Sequence, residues 1–254
     1  MRVIRTFAVY IYLGLIVAFG VPYFNHLEKK KEALGGESAV MVKRYAYART
    51  MAKRIVSLTG SKLTVKGLEN IPEGEAVLFV GNHQSYMDIP LMMSAISRPI
   101  GFVAKDSLGK IPFFDKWIVY LKCVLITRGD ARKALVAILE AAKILKGGHS
   151  LVLFPEGTRS ADGMLGEFKA GSLKAAQKGN VGIVPVAIKG ARDIMPRNSF
   201  WMYKSEVTVE FLPFLTAEEV KASETKELAK HVKNQIARAV GQPVEAEETE
   251  NGVE

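Results

Sequence analysis

A chain of 254 residues, 48% of them hydrophobic, is long enough for one domain with a full core and a few appended segments. Its single cysteine, Cys123, excludes an internal disulfide and any multi-cysteine metal site, and reads as a small buried apolar residue. The net charge of +9 is unevenly placed: residues 1–54 hold ten Lys/Arg against three Glu, while the last ten residues hold five Glu and no base. A basic N-terminus beside an apolar run points to anionic membrane lipids as partners, and no zinc-finger, RNP or Walker A pattern points to nucleic acid. His26, His149 and His231 lack ligand spacing and are expected at the surface or in loops, so no metal site is expected.

From Thr6 to Asn25 no residue is charged. Twenty helical residues cover roughly 30 Å, about one hydrocarbon core, so the simple reading is a transmembrane helix. A cleaved leader ending at Ala18-Phe19-Gly20 is the rival. Gly14, Gly20 and Pro22 weaken a straight span, and cations flank the run on both sides, Arg2 and Arg5 before it and Lys29, Lys30 and Lys31 after it. Such cations stay on one side of a bilayer, so a single span frustrates one flank, and a monotopic helix dipping into one leaflet is preferred. Residues 38–58 then read as a second helix carrying Lys43, Arg44, Arg49, Lys53 and Arg54, suited to a membrane interface or to packing on the domain with a solvated basic face. Residues 1–59 are thus expected to form a membrane-associated two-helix segment.

Beyond Gly60 the signals alternate. Strand-like runs fall at 63–66, 76–80, 100–104, 123–127, 150–154, 182–188 and 207–212, with helical stretches near 90–97, 112–121, 131–145, 170–178 and 224–240. In the third of these helices Leu135, Ile138, Leu139, Ala142 and Leu145 form a stripe expected to face the core. This alternation predicts an α/β domain over 60–242, a mixed, largely parallel sheet sandwiched by helices, followed by an acidic disordered tail at 243–254.

The chemistry concentrates where the second strand ends. His83-Gln84-Ser85-Tyr86-Met87-Asp88 follows the apolar run 76–80 and the turn signal Gly81-Asn82, which places it on a loop at the sheet edge where ligands of open α/β sheets bind. Asp88, ahead of Ile89-Pro90, suits a helix N-cap. Residues five apart on one helix lie roughly 140° apart, so the chain must bend for His83 and Asp88 to meet. If they meet, the carboxylate fixes the imidazole tautomer and the pair can act as a general base. A His that merely hydrogen-bonds a nearby Asp is the alternative. A second stretch, Phe154-Pro155-Glu156-Gly157-Thr158-Arg159-Ser160, follows another apolar run in the same way.

Asn82-His83 with Asp88 five residues on, and then Phe154 to Ser160, together resemble the glycerolipid acyltransferase family, in the order its motifs take, over roughly residues 60 to 215. The closest resemblance is to its 1-acylglycerol-3-phosphate branch. That resemblance implies an α/β fold and no cofactor. It implies transfer of an acyl group from acyl-CoA or acyl carrier protein to the 2-hydroxyl of lysophosphatidic acid, giving phosphatidic acid. Another lysophospholipid or glycerol 3-phosphate is the alternative acceptor, and a non-catalytic lipid-binding protein the alternative of another class. His83 would be the base and Asp88 its orienting partner, with Ser85 an awkward alternative nucleophile. Because the donor is cytoplasmic in the family, the site is expected at the cytoplasmic face of the cell membrane. The stretch Glu156, Gly157, Thr158 and Arg159 is implied in acceptor binding: Gly157 admits close backbone approach, Arg159 can hold a phosphate by two parallel bonds, and Glu156 can hold a glycerol hydroxyl or Arg159. Arg128 ends a second acceptor motif that departs from the family at Cys123 and Thr127. Lys105 and Lys169 resemble further positions near the phosphate, and Val184 to Ile188 the last motif. Oxyanion donors are expected among backbone N–H groups after Asn82 or near Gly157.

Overall fold

The computed structural model describes residues 1–245, so the expected acidic tail lies, beyond Glu245, outside the described residues. The elements in order are α1 (Arg2–Lys29), α2 (Gly36–Leu58), β1 (Lys62–Lys66), β2 (Val77–Gly81), α3 (Asp88–Ala95), β3 (Ile100–Lys105), α4 (Phe114–Tyr120), β4 (Val124–Ile126), α5 (Ala131–Lys146), β5 (Ser150–Leu153), α6 (Lys174–Gly179), β6 (Gly182–Lys189), α7 (Ala191–Ile194), β7 (Glu206–Phe211), α8 (Ala217–Ala222) and α9 (Thr225–Val240). The seven strands form one sheet in the order β1-β7-β6-β2-β5-β3-β4. Five of them, β6, β2, β5, β3 and β4, run parallel, while β7 is antiparallel to β6 and carries β1 parallel to itself.

β2 and β5 are buried throughout, as their unbroken apolar runs require of central strands covered on both faces. Alternate residues of each strand feed two cores. Val77, Phe79, Val152, Val184 and Val186 face α1, α2, α3 and α4. Leu78, Val80, Leu151, Leu153 and Ile183 face α5, α6, α8 and α9. Edge strand β1 is half exposed and bears Lys62 and Lys66, charges that discourage pairing with another chain.

The N-terminal helices lie against this domain. α1 is continuous through Gly14, Gly20 and Pro22, and is long and apolar enough to cross a membrane. One face, Thr6, Val9, Ile16, Gly20, Phe24 and Leu27, is buried along its length. Opposite it Ile4, Phe7, Ile11, Leu15 and Phe19 form a bare apolar stripe. Tyr10 donates to the Phe200 carbonyl at 3.0 Å, the Met202 N–H donates to Thr6 Oγ1 at 2.9 Å, and Phe24 packs edge-on against Trp117 at 4.7 Å. Gly20 sits where a Cβ would come within 2.2 Å of the Trp117 ring. In α2 the expected basic face is incomplete: Arg44 is buried, paired with Glu28 and Glu37 and stacked on Tyr120, so it ties α2 to α1 and α4 instead of facing lipid.

One further expectation is corrected. In α5 the core is met by Ala137, Ile138, Ala141, Ala142 and Leu145, whereas Leu135 and Leu139 are exposed, because the small alanines, not the leucines, fit the close approach to the sheet and α6. His149 lies in the loop before β5, as expected, but is buried there, where desolvation, with Lys122 nearby, pushes its imidazole down to about 4.

Candidate active site

Because β2, β5, β3 and β4 are parallel, the segments leaving their C-terminal ends gather at one edge of the sheet. Those segments carry His83, the 154–160 stretch, Lys105 and Arg128. The chain leaves β2 through Asn82, whose side-chain amide donates to the Ile188 carbonyl at 2.9 Å and accepts from the Ile188 N–H at 2.8 Å. This paired contact with β6 replaces the strand ladder and frees the backbone to turn.

After the turn, Asp88 collects the loop. Its Oδ2 accepts from His83 Nδ1 at 2.6 Å, from the Gln84 N–H at 2.7 Å and from the Ser85 N–H at 2.9 Å. Asp88 is therefore not the N-cap of α3: it is the first helical residue, and its fully buried carboxylate points back into the loop. Three donors on one oxygen hold the carboxylate in place and fix His83 with Nδ1 protonated. Nε2 is left without a described partner, on a side chain 14% exposed and stacked on Phe154 at 4.5 Å. Gly81 keeps that ring in place, since a Cβ there would meet Phe154 at 3.2 Å. Ser85 is fully buried; its hydroxyl donates to the Met195 carbonyl at 2.8 Å and accepts from the Met87 N–H at 3.2 Å, so it is occupied as a loop brace rather than free as a nucleophile.

The second motif is bolted to the first. The Ser160 N–H donates to the His83 carbonyl at 2.8 Å. Glu156 is buried; Oε1 accepts from the His83 N–H at 2.8 Å and Oε2 from the Gly166 N–H at 3.1 Å. Both carboxylate oxygens are thus spent on backbone, so Glu156 does not hold Arg159, and burial pushes its carboxyl above the usual range despite these bonds. Gly157 adopts φ +66°, a left-handed conformation that favours glycine, and a Cβ there would lie 3.1 Å from Lys169 Nζ.

Arg159 lies over the Tyr86 ring, its Cζ 3.7 Å from the centroid, with Nη1 buried and unpartnered. Arg128 shares this neighbourhood: desolvation holds its guanidinium below the usual range, Asp106 and Tyr86 oppose that, and the charge of Arg159 adds to it. The structure therefore gathers His83, Asp88 and Glu156 in one cluster, Arg159 and Arg128 about Tyr86, and Lys169 beside Gly157. Lys105 at the end of β3 and Thr158 are exposed, without a described side-chain partner. Of the two places expected for oxyanion donors, after Asn82 or near Gly157, the second has the free groups. The N–H groups of His83, Gln84 and Ser85 are taken by Glu156 and Asp88, whereas those of Thr158 and Arg159 have no described partner.

Residue patterns alone give no part in this site to Tyr86 or Gln242, and do not show that Phe154 stacks on His83. Gln242, just past α9, clamps the loop after Ser160 by accepting from the Leu165 N–H at 2.7 Å and donating to the Gly163 carbonyl at 2.8 Å. The only signal for Tyr86 is its place between His83 and Asp88.

Comparison with known proteins falls on the same region. A family model described as Acyltransferase matches residues 62–189. A 1-acyl-sn-glycerol-3-phosphate acyltransferase of Borreliella burgdorferi is 30% identical over 190 residues, covering 75% of this chain and 76% of that protein. A chloroplastic 1-acyl-sn-glycerol-3-phosphate acyltransferase of Arabidopsis thaliana is 36% identical over 139 residues, 54% of this chain but only 39% of that longer protein. The crystal structure of the LPA acyltransferase PlsC from Thermotoga maritima aligns with a TM-score of 0.80 and 30% identity over 95% of this chain and 97% of that one. Since sequence, family model and fold all converge on the stretch bearing both motifs, the chain belongs to the acyltransferase family, in its 1-acyl-sn-glycerol-3-phosphate acyltransferase branch.

Proposed function

We propose that this protein transfers an acyl group from a thioester donor to the sn-2 hydroxyl of lysophosphatidic acid, giving phosphatidic acid, with His83 as general base. The observation that carries the reading is the 2.6 Å bond from His83 Nδ1 to buried Asp88, which leaves Nε2, without a described partner, to accept a proton. Nε2 takes the hydroxyl proton as the oxygen attacks the acyl carbonyl, so a C–O bond forms without an acyl-enzyme. The oxyanion is held by the N–H groups of Thr158 and Arg159. Its collapse breaks the C–S bond, and the imidazolium returns the proton to the departing thiolate. Arg159 and Arg128, with Lys169 and Lys105 at the rim, bind the acceptor phosphate. Acyl-CoA or acyl carrier protein is the donor.

The bare stripe of α1 supports a lipid-borne acceptor, and the seating of α1 on the domain supports a monotopic arrangement; the cytoplasmic face of the cell membrane follows from the thioester donor, which is cytoplasmic in the family. The reading is tested by acyl transfer to lysophosphatidic acid with purified protein in lipid micelles. His83→Ala should keep its fold and lose at least ~10²-fold in turnover, and Asp88→Asn should be severely impaired because the amide can favour the wrong tautomer. A His83→Ala variant above a tenth of wild-type turnover would remove His83 as the base.

A further inference from the structure

Helix α5 begins two residues after the Arg128-Gly129 turn, at the catalytic edge of the sheet. Its outward face is unusual for a helix in water. Leu135, Val136 and Leu139 are 50%, 62% and 45% exposed, and nothing among the described residues covers them. They are adjacent by helical spacing, and Arg132 and Lys143 extend the same row at either end. Exposed Lys146 adds to these cations, while Lys133 is paired with the N-cap Asp130 at 3.5 Å, and the helix itself holds one acid, Glu140. An apolar centre flanked by cations is the mark of a recognition surface for an acidic partner.

Two other occupants fit poorly. α5 belongs to the core on the opposite face of the sheet from α1, so a bilayer meeting the bare stripe of α1 does not meet α5. In a symmetric pairing of two copies the cations of α5 would confront their own counterparts. Position identifies the partner: Val136 lies five residues into α5, roughly 8 Å along its axis from the end that adjoins Arg128.

We propose that the exposed face of α5 docks a small acidic carrier protein bearing the acyl group as a thioester on a flexible arm, and so presents the donor to His83. This rests on the acyltransferase reading above. The full chain in micelles is assayed with one acyl chain supplied in two forms, on CoA and on acyl carrier protein, comparing wild type, Val136→Glu and Val136→Lys. The exposure of Val136 makes both substitutions compatible with folding, which thermal melting checks. Val136→Glu should raise KM for the carrier-bound donor at least ~10-fold with kcat unchanged, while Val136→Lys changes it less and added salt narrows the gap between them. Kinetics with acyl-CoA should stay within about twofold of wild type for both, as for a surface change away from the reacting groups. The proposal is overturned by a wild type that rejects the carrier-bound donor, by unchanged carrier kinetics in Val136→Glu, by equal damage with both donors, or by light scattering that shows a wild-type dimer split by Val136→Glu. Absence of transfer from either donor to wild type would defeat the acyltransferase reading and this one with it.

Discussion

Arg159 and Tyr86 divide one task between them. The guanidinium rests on the ring at 3.7 Å, with Nη1 buried and unpartnered; on the proposed reading the ring fixes its orientation before an acceptor phosphate arrives. Losing a charge-assisted bond costs about 1.5–3 kcal/mol, so Arg159→Ala should lower efficiency for lysophosphatidic acid roughly 10–150-fold, and Arg159→Lys should recover only part. An exposed cation–π contact contributes about 0.5–1 kcal/mol, so Tyr86→Leu should raise KM for the same acceptor about two- to fivefold while Tyr86→Phe, which keeps the ring, should not. Saturation curves for donor and acceptor decide it: equal damage to both in Arg159→Ala would make the arginine structural. Within six residues the pattern of His83 and Asp88 was legible, because turn chemistry and a strand end are local. The role of Glu156 was not, since its partners, the His83 and Gly166 N–H groups, are brought to it by the fold.

At the scale of elements, the seat of α1 depends on a glycine. Replacing Gly by Ala inside a helix ordinarily stabilises by about 0.5–1 kcal/mol. A Cβ at Gly14 would meet nothing within 4 Å, so Gly14→Ala should follow that rule. At Gly20 the added methyl would meet Trp117 at 2.2 Å, so Gly20→Ala should reverse the sign and destabilise by about 1–3 kcal/mol, as overpacking does. Thermal unfolding in detergent, followed by Trp fluorescence, separates the two. If Gly20→Ala proved as stable as Gly14→Ala, α1 would not be seated on α4. The position of each helix in the chain was readable from apolar spacing. Its rotation was harder: in α5 leucines and alanines both keep a helical stripe, and the space beside α6 admits the alanines while leaving Leu135 and Leu139 in water.

For the whole molecule, the two N-terminal helices pack on the domain that bears the site. α1 is held from Thr6 to Leu27 on the same side of the sheet as α3, whose first residue is Asp88, so a perpendicular span would have to strip that buried face from the domain. Cysteines placed at Arg2 and at Lys30 in a Cys123→Ser background should both resist an impermeant thiol reagent outside intact cells and react after permeabilisation. Labelling of either from outside would establish a full span and sink the monotopic arrangement.

By itself the sequence determined the alternating α/β class, the apolar N-terminal helix and the two loops that bear the family's motifs, because periodicity, turn residues and strand ends are properties of neighbours along the chain. Tertiary structure decided which carboxylate serves His83 and which serves the backbone, that Arg44 is buried, that Arg159 rests on Tyr86 and that α5 shows leucines to solvent. Contacts such as Glu156 to His83 join residues 73 apart, and Asn82 to Ile188 residues 106 apart. Such pairings arise only when parallel strands carry distant loops to one edge, so no local pattern could have encoded them.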